Sequence, residues 1–187
     1  MTQSPKHATP STAASDSART PADLDRFLRV NHAGERAAQT IYKGQLAILK
    51  NHEQAAEIQH MMEQEQEHLD TFDTLLNDYK VRPSLFDPVW GVAGFILGAT
   101  TAAMGPKAAM ACTEAVETVI DEHYGEQTEA LADGSDPELK AMIDDYRADE
   151  VEHREAAAAH TGGGAFPVLE SIIRAGCRTA IAVAKRI

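Results

Sequence analysis

Apolar and polar positions alternate along this chain with the period of amphipathic helices. From Ile58 the line Ile58, Met61, Glu65, His68, Phe72, Leu75, Tyr79 advances by threes and fours, the seam of a bundle helix. A second line of the same construction runs Leu139, Ile143, Tyr146, Glu150, His153, Ala157, His160. Two further helices carry the heptad lines Leu28, Glu35, Tyr42, Leu49 and Met110, Glu117, Tyr124. Boundary residues predict a helix from Pro21–Asp23 to about Asn51 and one from about Glu53 to Tyr79, ending before Arg82-Pro83. Uncharged residues 89–105 follow a short linker, and Pro106 opens a helix to about Leu131. The turn 133–137 caps a helix that ends near His160, before the breaker Gly162 to Gly164. A last helix is predicted from Pro167 to Arg186.

The pattern is therefore helix pair, apolar connecting helix, helix pair, terminal helix. It predicts an all-α, ferritin-like four-helix bundle with a hydrophobic crossover helix and an additional C-terminal helix. Residues 22–187 are expected to form a single domain, and residues 1–21, rich in Ser, Thr, Ala and Pro, a disordered leader without a secretory apolar core. The length of 187 residues suffices for a real core, and aromatic residues at 5 % fit an alanine-rich helical protein better than a β-sandwich.

The seams contain six residues that do not belong in an apolar core: Glu35, Glu65, His68, Glu117, Glu150 and His153. They form a doubled motif, a lone Glu followed by Glu-x-x-His, separated by 30 residues in the first half and 33 in the second. A single Glu-x-x-His on a helix is commonplace, and usually solvated. Here all six interrupt core lines, whereas Glu57, Glu63, Glu67, Asp145 and Glu152 fall off them. Glu35 and Glu117 each have a tyrosine seven residues later, a further internal echo. Four converging carboxylates would repel, and each buried ion costs several kcal/mol. Protonation is one escape. Two divalent cations are the other, neutralising four carboxylates while two imidazoles complete a nitrogen and oxygen shell suited to iron or manganese, with zinc not excluded.

The formal charge of −12 excludes nucleic acid as a general partner, since phosphate binding needs basic surface. Beyond Ala165 the balance inverts, with Glu170 against Arg174, Arg178, Lys185 and Arg186. Cys112 and Cys177 lack the spacing of a zinc site or disulfide framework, consistent with a reducing compartment.

Several stretches resemble the 5-demethoxyubiquinone hydroxylase family of ubiquinone biosynthesis: Arg29 to Glu35, Ile41 to Gln45, Glu65 to Leu69, Trp90 to Gly98, Met110 to Glu117, His123-Tyr124, Glu150 to His153 and Ser171 to Cys177. They span nearly everything from about residue 23 onward. Asn31 departs from the family's usual Asp at a position that is not a ligand. The resemblance implies that the six seam residues ligate two iron ions. It implies a monooxygenase with O₂ as co-substrate that hydroxylates the ring of a polyprenylated demethoxyquinone. His123 and Tyr124 are candidates for supporting hydrogen bonds or electron relay. The electron donor, reduced nicotinamide or another, is left open, as is contact with other ubiquinone-biosynthesis proteins.

A substrate with a polyprenyl tail requires access to lipid. Residues 89–105 are short and mildly apolar for a span of about 20 residues, which favours an interfacial or buried crossover helix. Residues 167–187 mix Val168, Leu169, Ile172, Ile173, Ile181 and Val183 with basic side chains, the composition of a helix on an anionic lipid surface. The expected location is peripheral, on the cytoplasmic side of a bacterial-type inner membrane. The competing readings are a soluble ferritin-like iron oxidase or peroxide-reducing protein, and a non-catalytic helical scaffold.

Overall fold

The computed structural model describes residues 21–134 and 136–186. The expected leader falls outside them, apart from Pro21, which begins the first helix. Six helices follow: α1 (Pro21–Leu49), α2 (Ala55–Asp78), α3 (Asp87–Ala103), α4 (Pro106–Ala130), α5 (Pro137–Thr161) and α6 (Pro167–Ala184). Each predicted helix is present, with ends displaced by one or two residues. Proline occupies the first turn of α3, α4, α5 and α6, where its missing N–H costs nothing. Asp136 caps α5 by accepting a hydrogen bond from Leu139 N at 3.0 Å. Gly162 ends that helix in the left-handed region at φ 79°. Gly105, at φ 117°, makes the abrupt join between α3 and α4 that an L side chain would strain.

Helices α1, α2, α4 and α5 form the four-helix core. The hairpin pairs α1–α2 and α4–α5 pack along their lengths, whereas the backbones of α2 and α5 stand further apart and meet through their side chains. The remaining face, between α1 and α4, is covered by α3 and α6. Apolar layers close both ends of the core. One contains Leu28, Phe72, Leu75, Tyr124, Ile143 and Tyr146, and the other Tyr42, Leu49, Ile58, Met61, Met110 and Ala157. The heptad lines account for this arrangement, since Leu28 and Leu49 lie on one stripe of α1 with Glu35 between them.

Helix α3 is neither wholly buried nor wholly free. Its glycines lie against α1: a Cβ on Gly98 would stand 2.0 Å from the Ile41 carbonyl oxygen, and one on Gly94 2.6 Å from that of Ala37. Gly44 reciprocates, its absent Cβ lying 2.3 Å from the Phe95 carbonyl oxygen. The glycines therefore let two backbones touch, and the outer face of α3 is left exposed. Val92 is 62 % and Ile96 58 % exposed. Near this helix Leu85 is 78 % exposed, and on α6 Val168 and Ile172 are 72 % and 65 % exposed.

The basic residues of α6, expected to face anionic lipid, have acidic neighbours within the chain. Arg178 pairs with Glu122 at 2.9 Å, Lys185 with Glu126 at 3.6 Å and Arg174 with Glu170 at 3.4 Å. Three of the four cations expected to face lipid thus pair with acids of their own chain: Arg178 and Lys185 because α6 packs beside the acidic flank of α4, and Arg174 with the glutamate one turn earlier on α6.

Gly98→Ala should destabilise the protein by about 3 kcal/mol, the scale of overpacking a tight contact. Gly176→Ala, at a helical position with open space around the absent Cβ, should stabilise it by about 0.5–1 kcal/mol through helix propensity. Urea unfolding followed by circular dichroism separates the two directions, and equal effects would contradict the close approach.

Candidate metal centre

All six seam residues converge at the middle of the bundle, each at most 2 % exposed. Two groups of four form, in which one atom from each residue lies within 4.8 Å of the others. The first is Glu35, Glu65, His68 and Glu150, and the second Glu65, Glu117, Glu150 and His153. Glu65 and Glu150 belong to both, so the groups share an edge made by α2 and α5.

Antiparallel register explains the convergence. Tyr42 on α1 donates to Glu117 on α4 at 2.6 Å, and Tyr124 on α4 donates to Glu35 on α1. Each tyrosine serves the glutamate of the other half. The seven-residue echo in the sequence is thus a cross-pairing, two turns along each of two opposed helices. Across the other diagonal, His153 Nδ1 lies 3.1 Å from Glu65, and His68 Nδ1 lies 3.5 Å from both Glu35 and Glu150. The outward nitrogens have separate partners: His68 Nε2 donates to Asp149 at 3.0 Å and His153 Nε2 to Gln64 at 3.1 Å. Gln64 and Asp149 were not legible as site residues. The available signal was their shared place, each immediately before the glutamate of a Glu-x-x-His.

The electrostatics of this assembly are frustrated. Burial pushes the Glu65 carboxyl well above the usual range, and the negative charges of Glu150 and Glu35 push it further. Burial, then Glu150 and Glu65, do the same to Glu117. Burial opposes charging of His68, but Asp149, Glu150 and Glu35 outweigh it and raise its pKa. In His153 burial is outweighed chiefly by Glu150. Burial would raise Glu150 too, yet the two imidazoles hold it down at about 2. Protons do only part of the work: Glu35 Oε2, Glu117 Oε2, both oxygens of Glu65 and Glu150, and Nδ1 of both histidines have no hydrogen-bond partner. Buried polar atoms are normally satisfied. Eight unpartnered ligand-type atoms facing one another fit two cations, which would satisfy them together.

Tyr124 therefore touches the centre directly, and His123 stands behind it. His123 is buried in a polar group with Asn31 and Gln127. Asn31 Nδ2 donates to Gln127 Oε1 at 2.9 Å, and Gln127 Nε2 donates to Asn31 Oδ1 at 2.6 Å and reaches His123 Nε2 at 2.7 Å. His123 Nε2 also lies 3.2 Å from Asn31 Oδ1, so the ring faces two neutral amides. Burial, then Lys185, lowers the His123 pKa to about 4. Asn31, the departure from the family pattern, is thus the partner of a residue singled out for support.

A flanking apolar pocket lies under α3 and α6. Its walls include Val30, Ala37, Ile41, Trp90 and Ile181, together with Gly34 and Val116, the chain neighbours of Glu35 and Glu117. On the opposite face, between α2 and α5, opens a polar cleft lined by Gln64, Glu67, His68, Asp145, Tyr146, Ala148 and Asp149.

The lowered His123 pKa gives a pH dependence. Below the ordinary imidazole value of 6.5 the unfolded chain takes up a proton that the folded one refuses until about pH 4. Stability from this residue is complete above pH 6.5 and falls as pH drops, by about 2 kcal/mol at pH 5. Urea midpoints at pH 7 and pH 5 should converge in His123→Gln relative to the unsubstituted protein.

The model of the ubiquinone biosynthesis protein COQ7 family matches residues 22–184. A Rhodospirillum rubrum protein named 3-demethoxyubiquinol 3-hydroxylase is 50 % identical over 167 residues, which cover 88 % of this chain and 78 % of that protein. A Homo sapiens protein named NADPH-dependent 3-demethoxyubiquinone 3-hydroxylase, mitochondrial, is 44 % identical over 172 residues, 89 % of this chain and 79 % of its own. A Saccharomyces cerevisiae protein named 5-demethoxyubiquinone hydroxylase, mitochondrial, is 40 % identical over 204 residues, 100 % of this chain and 87 % of its own. With its helical bundle and a family match along nearly all of the described residues, this chain belongs to the COQ7 family of ubiquinone biosynthesis proteins.

Proposed function

We propose that this protein is a di-iron monooxygenase that hydroxylates the ring of a polyprenylated demethoxyquinone, as the names of its relatives suggest. The observation that carries the metal part of this reading is the buried, mutually facing set of unpartnered Glu and His atoms. Glu35, Glu65, His68 and Glu150 would hold one ion and Glu65, Glu117, Glu150 and His153 the other, with Glu65 and Glu150 common to both. Four carboxylates balance two divalent charges, and oxygen and nitrogen donors without thiolate suit iron. When bound, the two ions supply the capacity to reduce O₂ and transfer one oxygen atom.

The chain's own residues set the conditions. Tyr42 and Tyr124 orient Glu117 and Glu35 through their hydroxyls, leaving the second oxygen of each carboxylate inward. The apolar layers of Leu28, Phe72 and Ile143 on one side and Ile58, Met61 and Met110 on the other exclude water. The apolar pocket beside Glu35 and Glu117 suits a quinone ring with its tail leading out between α3 and α6. A reduced nicotinamide is the proposed electron donor, in keeping with the name of the human relative.

No described helix is long and apolar enough to cross a membrane. The exposed Val89, Val92, Ile96, Val168 and Ile172 support peripheral attachment; the proposed location is the cytoplasmic side of an inner membrane in a bacterial-type cell. Because Arg174, Arg178 and Lys185 are engaged in ion pairs, the apolar face is the main contributor.

Iron-loaded protein given a demethoxyquinone, reductant and O₂ should form the hydroxylated quinone, detected by mass spectrometry. Glu117→Ala should cut that product by at least a hundredfold and lower bound iron below two ions per chain. Rapid oxidation of free ferrous iron without quinone product would favour the soluble iron-oxidase reading instead.

In flotation with neutral vesicles, the variant Val92→Asp/Ile96→Asp/Ile172→Asp should lose more than tenfold in bound fraction, since each buried apolar side chain contributes about 1.5–3 kcal/mol. Combined alanine replacement of Arg174, Arg178, Lys185 and Arg186 should change binding to anionic vesicles by less than about threefold. Reversal of these two outcomes would return the weight to the basic residues.

A further inference from the structure

The two halves of the centre match in every proposed ligand and differ in what stands behind the histidines. Each imidazole turns Nδ1 inward and gives its Nε2–H to the residue preceding the glutamate of the facing helix. For His153 that residue is Gln64, a neutral amide at 3.1 Å. For His68 it is Asp149, a carboxylate at 3.0 Å whose side chain remains 35 % exposed. A carboxylate hydrogen-bonded to a ligating imidazole makes it a better donor, and such outer partners are worth 10- to 100-fold in metal affinity. An amide oxygen fixes the ring with less charge. The internal repeat makes this contrast sharp, because the tyrosines and glutamates are otherwise exchanged pairwise between the halves.

Access is biased in the same direction. The cleft between α2 and α5, of about 360 Å³, has room for a hydrated ion. Its walls include His68 together with Glu67, Asp145 and Asp149, and His153 is not among them. Three carboxylates at one mouth raise the local concentration of cations. On the other face, a divalent ion entering the apolar pocket beneath α3 and α6 would lose its hydration uncompensated.

On the strength of these two observations, and resting on the metal-centre reading above, we infer that the two cation positions are inequivalent: the one formed by Glu35, Glu65, His68 and Glu150 fills first and binds more tightly, and Asp149 sets that order. Asp149 is a positioning residue, acting on the cation through His68. Gln64 is its weaker counterpart in the second half.

Metal-free protein titrated anaerobically with Co(II), followed by calorimetry and by the visible absorption of each added ion, tests this. Two ions per chain should bind in two resolved steps, the first at least tenfold tighter. Asp149→Asn should weaken the first step 10- to 100-fold and merge the two. Gln64→Glu should tighten the second step. In the double variant Gln64→Glu/Asp149→Asn the steps should separate again with their order exchanged. His153→Ala identifies the order, removing the weaker step from the unsubstituted protein and the tighter step from the double variant. Glu67→Gln/Asp145→Asn, which alters only the rim, should keep the affinity order. Unchanged steps in Asp149→Asn, or an order that does not exchange in the double variant, would overturn the inference while two bound ions uphold the centre. Uptake of no ions by the unsubstituted protein would overturn the centre itself. Far-UV circular dichroism of each variant separates these outcomes from unfolding.

Discussion

The structure turns on the desolvation of four carboxylates and two imidazoles in the middle of an otherwise apolar bundle. Each buried ion costs several kcal/mol that hydrophobic burial elsewhere must offset. The charge of the nearby imidazoles offsets part of this at Glu150 and Glu65, but the facing oxygens and nitrogens make no hydrogen bonds. Such a core is a poor way to stabilise a helical protein and a good way to bind two cations. The layers above and below then acquire a second purpose. Leu28, Phe72, Met110 and Ile58 pack the bundle, and they also keep the dielectric around the carboxylates low.

From that constraint the two faces of the bundle follow. The site has an apolar pocket on one side, where the substrate is proposed to lie, and a polar cleft on the other. Helices α3 and α6 cover the α1–α4 face with an apolar lining, while α2 and α5 leave a cleft edged by carboxylates. The glycines of α3 serve the first arrangement: by letting the backbones of α1 and α3 touch, they hold the crossover helix tightly on one side and leave its other side free.

Support for the centre is distributed by antiparallel pairing between the halves of the chain. Tyrosine on α1 holds glutamate on α4 and the reverse, and the residue before each Glu-x-x-His holds the histidine opposite. Folding must therefore bring both halves together before any proposed ligand is correctly oriented. The repeat is close to symmetric, and its departures are chemical. The most consequential is a carboxylate at Asp149 where the other half has an amide at Gln64.

The number and type of helices, the proline starts of α4, α5 and α6 and the six residues at the centre were legible in the sequence because helical periodicity and helix-start signals are local. Glu35 shares a stripe with Leu28, Tyr42 and Leu49 whatever it faces, and a charged group on such a stripe must meet a partner in the core. What faces what is not local. That Tyr42 serves Glu117 rather than its own Glu35, that Asp149 and Gln64 back the histidines, and that Asn31 holds His123 depended on the antiparallel register of helices far apart in the chain. The basic residues of α6 show the same limit: their composition suggested lipid, and packing beside Glu122 and Glu126 gave Arg178 and Lys185 nearer partners. Sequence determined which groups had to be buried together, because periodicity decides the face; tertiary structure decided their partners, because hydrogen bonds and ion pairs are settled at distances of about 3 Å that only packing sets.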